Sequence, residues 1–214
     1  PDTEVVFVGE GPGFNEDREG RPFVGRAGGL LVRLLGALGW QREDVFITNV
    51  VKCRPPDNRD PQPDEIAACA PFLRRQLEAL DPAVVVTLGR HSMGTFMPGA
   101  RIGQVHGTSV PADPETGARA ALVFAMYHPA AALRSPAIER ESFEDMASVP
   151  SVLLRARERR VSAPATPTRP TAPAQAAGTT QPDPSAPPTP AEPDASPLTA
   201  ADPAADDAPQ LTLF

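Results

Sequence analysis

The sequence predicts a doubly wound α/β sandwich around a central, mostly parallel four-stranded sheet, and three observations carry that prediction. Four short runs are apolar without alternation, as strands buried on both faces must be. Segments with apolar residues at helical spacing lie between them. Glycine-rich or proline-containing turns follow the runs, where a strand has to leave the sheet. In open sheets of this kind a ligand binds in the crevice outside the carboxyl ends of the strands.

The elements follow in order. Glu4–Val8 reads as a buried strand and runs into Gly9-Glu10-Gly11-Pro12-Gly13. Ala27–Leu38 carries leucines at helical spacing, with Gly39 as its stop. Asp44–Lys52 is the second strand, followed by a loop of Pro, Asn, Asp and Arg over Arg54–Pro63. Asp64–Leu80 is an amphipathic helix with Ile66, Cys69, Phe72, Leu73 and Leu77 assigned to one face. Ala83–Leu88 is the third strand, and Gly89-Arg90 opens a short helix. Val105–Val110 is a weak edge strand, Ala121–Tyr127 the fourth buried one, and Ile138–Arg159 a closing helix. The strand ends thus bring Gly9–Gly13, Asn49, Gly89-Arg90 and His128-Pro129 to one crevice.

Composition divides the chain in two. Of 28 prolines among 214 residues, 13 fall in residues 161–214, together with 14 alanines. A stretch that is half Pro and Ala, with Phe214 as its only aromatic, lacks the apolar surface to offset chain entropy, so disorder is expected there. Residues 1–160 remain for one domain. The tail carries a net charge of −5 and the body −2, so attraction to nucleic acid must come from a local patch. Lys52 is the only lysine. No apolar run reaches membrane-spanning length, which excludes a transmembrane helix. No signal peptide is visible. Two cysteines are too few for a disulfide scaffold. The chain starts at Pro1 without a methionine, and an incomplete N-terminus is expected.

Single residues have two readings each. Glycines after a strand permit close backbone approach to a ligand, or simply make a tight turn. Asn49 can donate and accept toward a ligand amide edge, or cap the loop that follows. Phe23 reads as a core residue, although it lies between Pro22 and the Val24-Gly25 loop, away from any amphipathic stripe. His128 is a site histidine or a structural one. His91 and His106 attract no role, and neither has metal-ligand spacing to the cysteines.

Taken together, GEGPG, Gly20–Gly28 (GRPFVGRAG), Ile47–Pro61 (ITNVVKCRPPDNRDP), the Asp64–Leu80 helix with Cys69, and Tyr127–Ala131 (YHPAA) resemble family 4 uracil-DNA glycosylases. The resemblance runs over about residues 4–155. It implies a monofunctional repair enzyme that flips uracil from DNA, hydrolyses its N-glycosidic bond and leaves an abasic site. Phe23 would stack on the flipped base, and Asn49 would read O4 and N3–H, where cytosine presents the opposite pattern. His128 would donate toward O2, with backbone N–H groups near Gly11 and Gly13. Glu10 would position or deprotonate water, with Glu16 and Asp17 as alternatives. Arg54, Arg59, Arg90 and Arg134, in or beside the site-forming loops, are expected as phosphate contacts or else as ordinary solvated arginines, and Leu133 or Arg134 as the wedge, because Ala132 stands where relatives usually carry leucine. Cys53 and Cys69 correspond to two of four ligands of a 4Fe–4S cluster, the other two being expected upstream of Pro1.

Gln210-Leu211-Thr212-Leu213-Phe214 resembles the peptide by which bacterial repair proteins dock on the sliding clamp, with Gln210, Leu211, Leu213 and Phe214 as contacts. The chain is therefore expected to be a DNA-associated, cytoplasmic bacterial monomer. A non-catalytic or covalently trapping uracil-DNA binder of the same superfamily is the alternative, and an unrelated nucleotide-binding α/β protein a further one. The loop Arg54–Pro63 lacks the extra histidine of the trapping proteins.

Overall fold

The computed structural model describes residues 3–162. The Pro/Ala-rich tail and its terminal pentapeptide lie outside the described residues. Of the two units into which the chain divides, Pro1–Pro167 and Thr168–Phe214, the first contains the whole sheet.

Strands β1 (Val5–Gly9), β2 (Phe46–Asn49), β3 (Val84–Leu88), β4 (Ser109–Pro111) and β5 (Leu122–Met126) form one sheet in the order β2-β1-β3-β5-β4. The four strands expected from their apolar runs are parallel, and β4 adds an antiparallel edge. That edge lies later than the sequence placed it. Val105 belongs instead to a single helical turn, α5 (Ile102–Val105), in the chain order α1 (Phe14–Glu19), α2 (Arg26–Ala37), α3 (Pro63–Leu80), α4 (Arg90–Phe96), α5, α6 (Pro129–Ala132) and α7 (Pro136–Ser162).

Strand parity explains the continuous apolar runs. Val5, Phe7, Val84, Val86, Leu122 and Phe124 pack on one face against Leu30, Leu31 and Leu34 of α2 and Met146 and Val149 of α7. Val6, Val8, Val85, Val123 and Ala125 pack on the other against Leu73 and Leu77 of α3 and Met93 and Phe96 of α4. Both faces are covered, so neither parity can be polar. On α3 the assigned face needs one correction: Phe72 is exposed, with the Arg75 guanidinium 4.9 Å from its ring centre. At 100° per residue it sits well round the helix from Leu73 and Leu77, which alone on α3 are fully buried.

Register sets the site. Gly9 pairs with Asn49, Val8 with Thr87 and Leu88 with Met126, so the parallel strands end at one level. The chain first moves from β1 to β2 on one side and then to β3 on the other. The crevice between β1 and β3 is the switch point where such sheets bind ligands.

Candidate functional site

A cavity of ≈ 710 Å³ opens at those strand ends, lined among others by Glu10, Gly11, Gly13, Phe23, Gly89 and His128. Its deep wall is built by backbone. His128 follows β5 and caps α6, and its Nδ1 accepts the Ala130 N–H at 3.0 Å. An acceptor at Nδ1 leaves the ring proton on Nε2. Burial, with Arg134 adding to it and Glu16 opposing, pushes the His128 pKa down to about 4, so the ring is neutral at pH 7. The Phe23 ring stacks on it at 5.6 Å with 28° between the planes.

Phe23 is held in a left-handed conformation, φ +54°, which an aromatic residue adopts only under constraint, at about 1–3 kcal/mol. Three contacts impose it. Arg42 donates Nη1 to the Phe23 carbonyl at 3.0 Å and Nη2 to that of Pro22. Glu16 Oε1 accepts from the N–H groups of Val24 at 3.0 Å and Gly25 at 2.8 Å. Gly28 of α2 lies so close that a Cβ there would sit 2.0 Å from the Phe23 carbonyl oxygen. Glu16 is therefore the clamp of this loop. Although burial raises its pKa, hydrogen bonds from Gly25 and Val24 outweigh that and hold its carboxyl below the usual range.

Asn49 does not line the cavity; it is buried beside it. A Cβ on Gly9 would lie 2.5 Å from Asn49 Oδ1 and 2.5 Å from Phe23 Cε2, so this glycine leaves room for both the amide and the ring. Among the described residues, Asn49 Oδ1 has no hydrogen-bond partner. A buried acceptor left open in this way calls for a donor from elsewhere. Gly89, at φ +88°, repeats the device: its missing Cβ would stand 2.8 Å from that of His128.

The rim is made of side chains. Glu10 is half-buried, and burial leads in raising its pKa above the usual carboxylate value, with Asp60 adding and His91 and Arg90 opposing. His91, read from sequence as having no role, faces this group: its Nε2 is 3.9 Å from Glu10 and 3.4 Å from Asp60. Glu10, Asp60 and His91 are the one such cluster of possible metal-ligating atoms among the described residues. The Arg90 guanidinium already sits in it, bonded to Asp60 and donating Nε to His91 Nε2 at 3.0 Å. Arg59 donates both Nη groups to Glu65 at 2.8 and 2.7 Å. Arg134 lines the cavity. Arg54 stands outside it, bonded to Asn58 and 5.3 Å from the ring centre of exposed Phe14. Ala132 is buried and Leu133 next to it is exposed.

His106 also needs correction. It is not on a strand; its Nδ1 is 3.0 Å from Asp145 Oδ2 and its ring 4.6 Å from that of Tyr127, a cavity residue. Only the fold joins these positions, so no local pattern announced them.

Cys53 is exposed, and Cys69 on α3 is half-buried and accepts the Lys52 N–H at 3.3 Å. Two thiols are half of the four that a 4Fe–4S cluster takes, and neither belongs to a larger ligand grouping among the described residues. No helix among the described residues is long and apolar enough to cross a membrane.

The family model for the uracil DNA glycosylase superfamily matches residues 1–148. The chain is 51% identical over 157 residues to the type-4 uracil-DNA glycosylase of Saccharolobus solfataricus, covering 71% of this chain and 72% of that protein. Its identity to the type-4 enzyme of Thermotoga maritima is 46% over 154 residues, covering 71% and 79%. A type-5 enzyme of Thermus thermophilus is 32% identical over 112 residues, covering 45% and 51%.

Proposed function

This chain belongs to the uracil-DNA glycosylase superfamily, beside its type-4 members, and from that premise we propose how its own residues remove uracil from DNA. The observation that carries the reading is the buried, unpartnered Oδ1 of Asn49 beside Gly9, which the Phe23 ring also flanks. An amide so placed accepts from N3–H and donates to O4 of a flipped uracil. Cytosine offers a bare N3 and an amino group there, and leaves both ends of the amide mispaired.

Phe23 supplies the stacking surface, and it is already held in place before a base arrives. As the C1′–N1 bond lengthens, negative charge spreads to uracil O2. Neutral His128 donates Nε2–H to that oxygen, and because the imidazole carries no charge beforehand, its cost of burial is small. The peptide groups of Gly11 and Gly13 line the same cavity. Glu10 orients the water that attacks C1′ and takes its proton, a task favoured by a carboxyl whose pKa burial raises above the usual glutamate value. The products are free uracil and an abasic site. Arg59, Arg90 and Arg134 contact phosphates at the rim, with Arg54 beside Phe14 further out, and Leu133 fills the vacated stack.

Cys53 and Cys69 would supply two of the four thiolates that hold a 4Fe–4S cluster. The pentapeptide Gln210–Phe214 docks on the sliding clamp, and residues between it and α7 act as tether. Deleting the pentapeptide should abolish clamp binding in a pull-down and leave excision from short DNA unchanged.

Incubation with a uracil-containing oligonucleotide tests the central reading by the free uracil released. His128→Ala and Asn49→Asp should each lose most of it. A stable protein–DNA adduct without free uracil would instead favour a trapping protein.

A further inference from the structure

Lys52, the only lysine of the sequence, is half-buried between α3 and the end of β2. Its ammonium makes three hydrogen bonds, the full number it can donate. They run to Thr48 Oγ1 at 2.9 Å, the Asn49 carbonyl at 2.7 Å and Gln76 Oε1 at 2.7 Å. Thr48 Oγ1 in turn donates to Gln76 Oε1 at 3.0 Å. The backbone of Lys52 is held as well, by its N–H to Cys69 Sγ. Gln76 and Cys69 are seven residues apart, two turns of α3, so one helix face grips Lys52 at both ends.

All three acceptors of the ammonium are neutral. Withdrawing a cation from water with no carboxylate to face it is costly, and an apolar residue would fill the space more cheaply. What the lysine achieves is geometric. The Val50 N–H, on the far side of the same peptide bond as the Asn49 carbonyl, donates to Gly9 at 2.9 Å, and Val51 donates to Glu10 at 3.0 Å. With Lys52 holding the carbonyl, the peptide plane after Asn49 is pinned from both sides. The side chain above it retains only its own two torsions.

We infer that Lys52 is a positioning residue for Asn49, acting with Gln76 as a strap from α3 that fixes the base-reading amide. The inference rests on the uracil reading above for its consequence, and on geometry for the strap itself. Substrate never touches Lys52; it acts through the residue it holds, and small displacements at such a reader are expensive in rate.

The test uses single-turnover excision of uracil from an oligonucleotide by the full chain and its variants. Lys52→Met should lower the rate about tenfold or more. Gln76→Leu should lower it several-fold, and Gln76→Glu, which keeps an acceptor, should stay near wild type. In an Asn49→Ala background, Lys52→Met should cost almost nothing further, because the group it positions is gone. A merely structural lysine would cost the same in both backgrounds. Hydrogen exchange of the Val50 and Val51 amides reads the strap without any activity, and protection should fall at least tenfold in Lys52→Met. Should Lys52→Met not fold, Gln76→Leu carries both measurements. Wild-type rate with unchanged protection in the lysine variant, or equal losses in both backgrounds, overturns the inference. A wild-type protein that releases no uracil would overturn the proposed function instead, and exchange would still decide the strap.

Discussion

The deep wall of the cavity and its rim are built on opposite principles. Phe23 and His128, with Asn49 buried beside them, are held through their main chain: a carbonyl gripped by Arg42, a cap from Ala130, and glycines at 9, 28 and 89. Glu10, Arg59 and Arg90 are placed by other flexible side chains, Asp60 among them exposed. Preorganisation belongs where charge develops in the reaction, since dipoles that need not move cost nothing at that moment. Exchangeable ion pairs belong where a polyanion arrives, because a phosphate can take over the guanidinium that a carboxylate held. Removing a wall residue should therefore change the chemical step, and removing a rim arginine should change binding.

The sharpest test of that division is His128→Ala, which should lower the single-turnover rate about 100- to 1,000-fold with uracil-DNA affinity little changed. A loss confined to affinity would erase the distinction. Next comes the pH dependence of stability. Folded His128 takes a proton only near pH 4, against 6.5 for the exposed ring, so burial of the neutral form is fully stabilising above 6.5. As pH falls from 6.5 toward 4 that contribution disappears, about 3 kcal/mol in all, and denaturant titrations of His128→Gln should lack this component.

Gly28→Ala strikes the wall from behind. Its new methyl meets the Phe23 carbonyl, and unfolding should show a loss of about 1–3 kcal/mol together with slower excision. Glu10 lies where wall and rim meet. Because its pKa is raised, the acid limb of kcat/KM should lie above the ordinary glutamate value of 4.5, rate rising with pH as the carboxyl ionises. Glu10→Gln should flatten that limb. The smallest effect is expected at the rim: Arg59→Ala should leave the chemical step unchanged and reduce the salt dependence of DNA binding by about one counterion.

Much of this was legible in the amino-acid order alone. Apolar runs of strand length, broken by glycine and proline, determined a doubly wound sheet and the level at which its strands end. Since ligands of such sheets gather at that level, Gly9–Gly13, Asn49, Gly89 and His128 could be brought together before any coordinates. Resemblance of ordered motifs pointed to the family. These features are local, and a short window of residues carries each. The tertiary structure alone decided what depends on contacts between distant windows: the strained turn at Phe23 braced by Arg42 and Glu16, the open acceptor on Asn49, the carboxylate partners of Arg59 and Arg90, the pairing of His106 with Asp145, and the strap from Gln76 through Lys52. Periodicity reports which side of a helix or strand is buried, but not which polar atom it will meet there; that is settled when α3 and α7 are laid on the sheet.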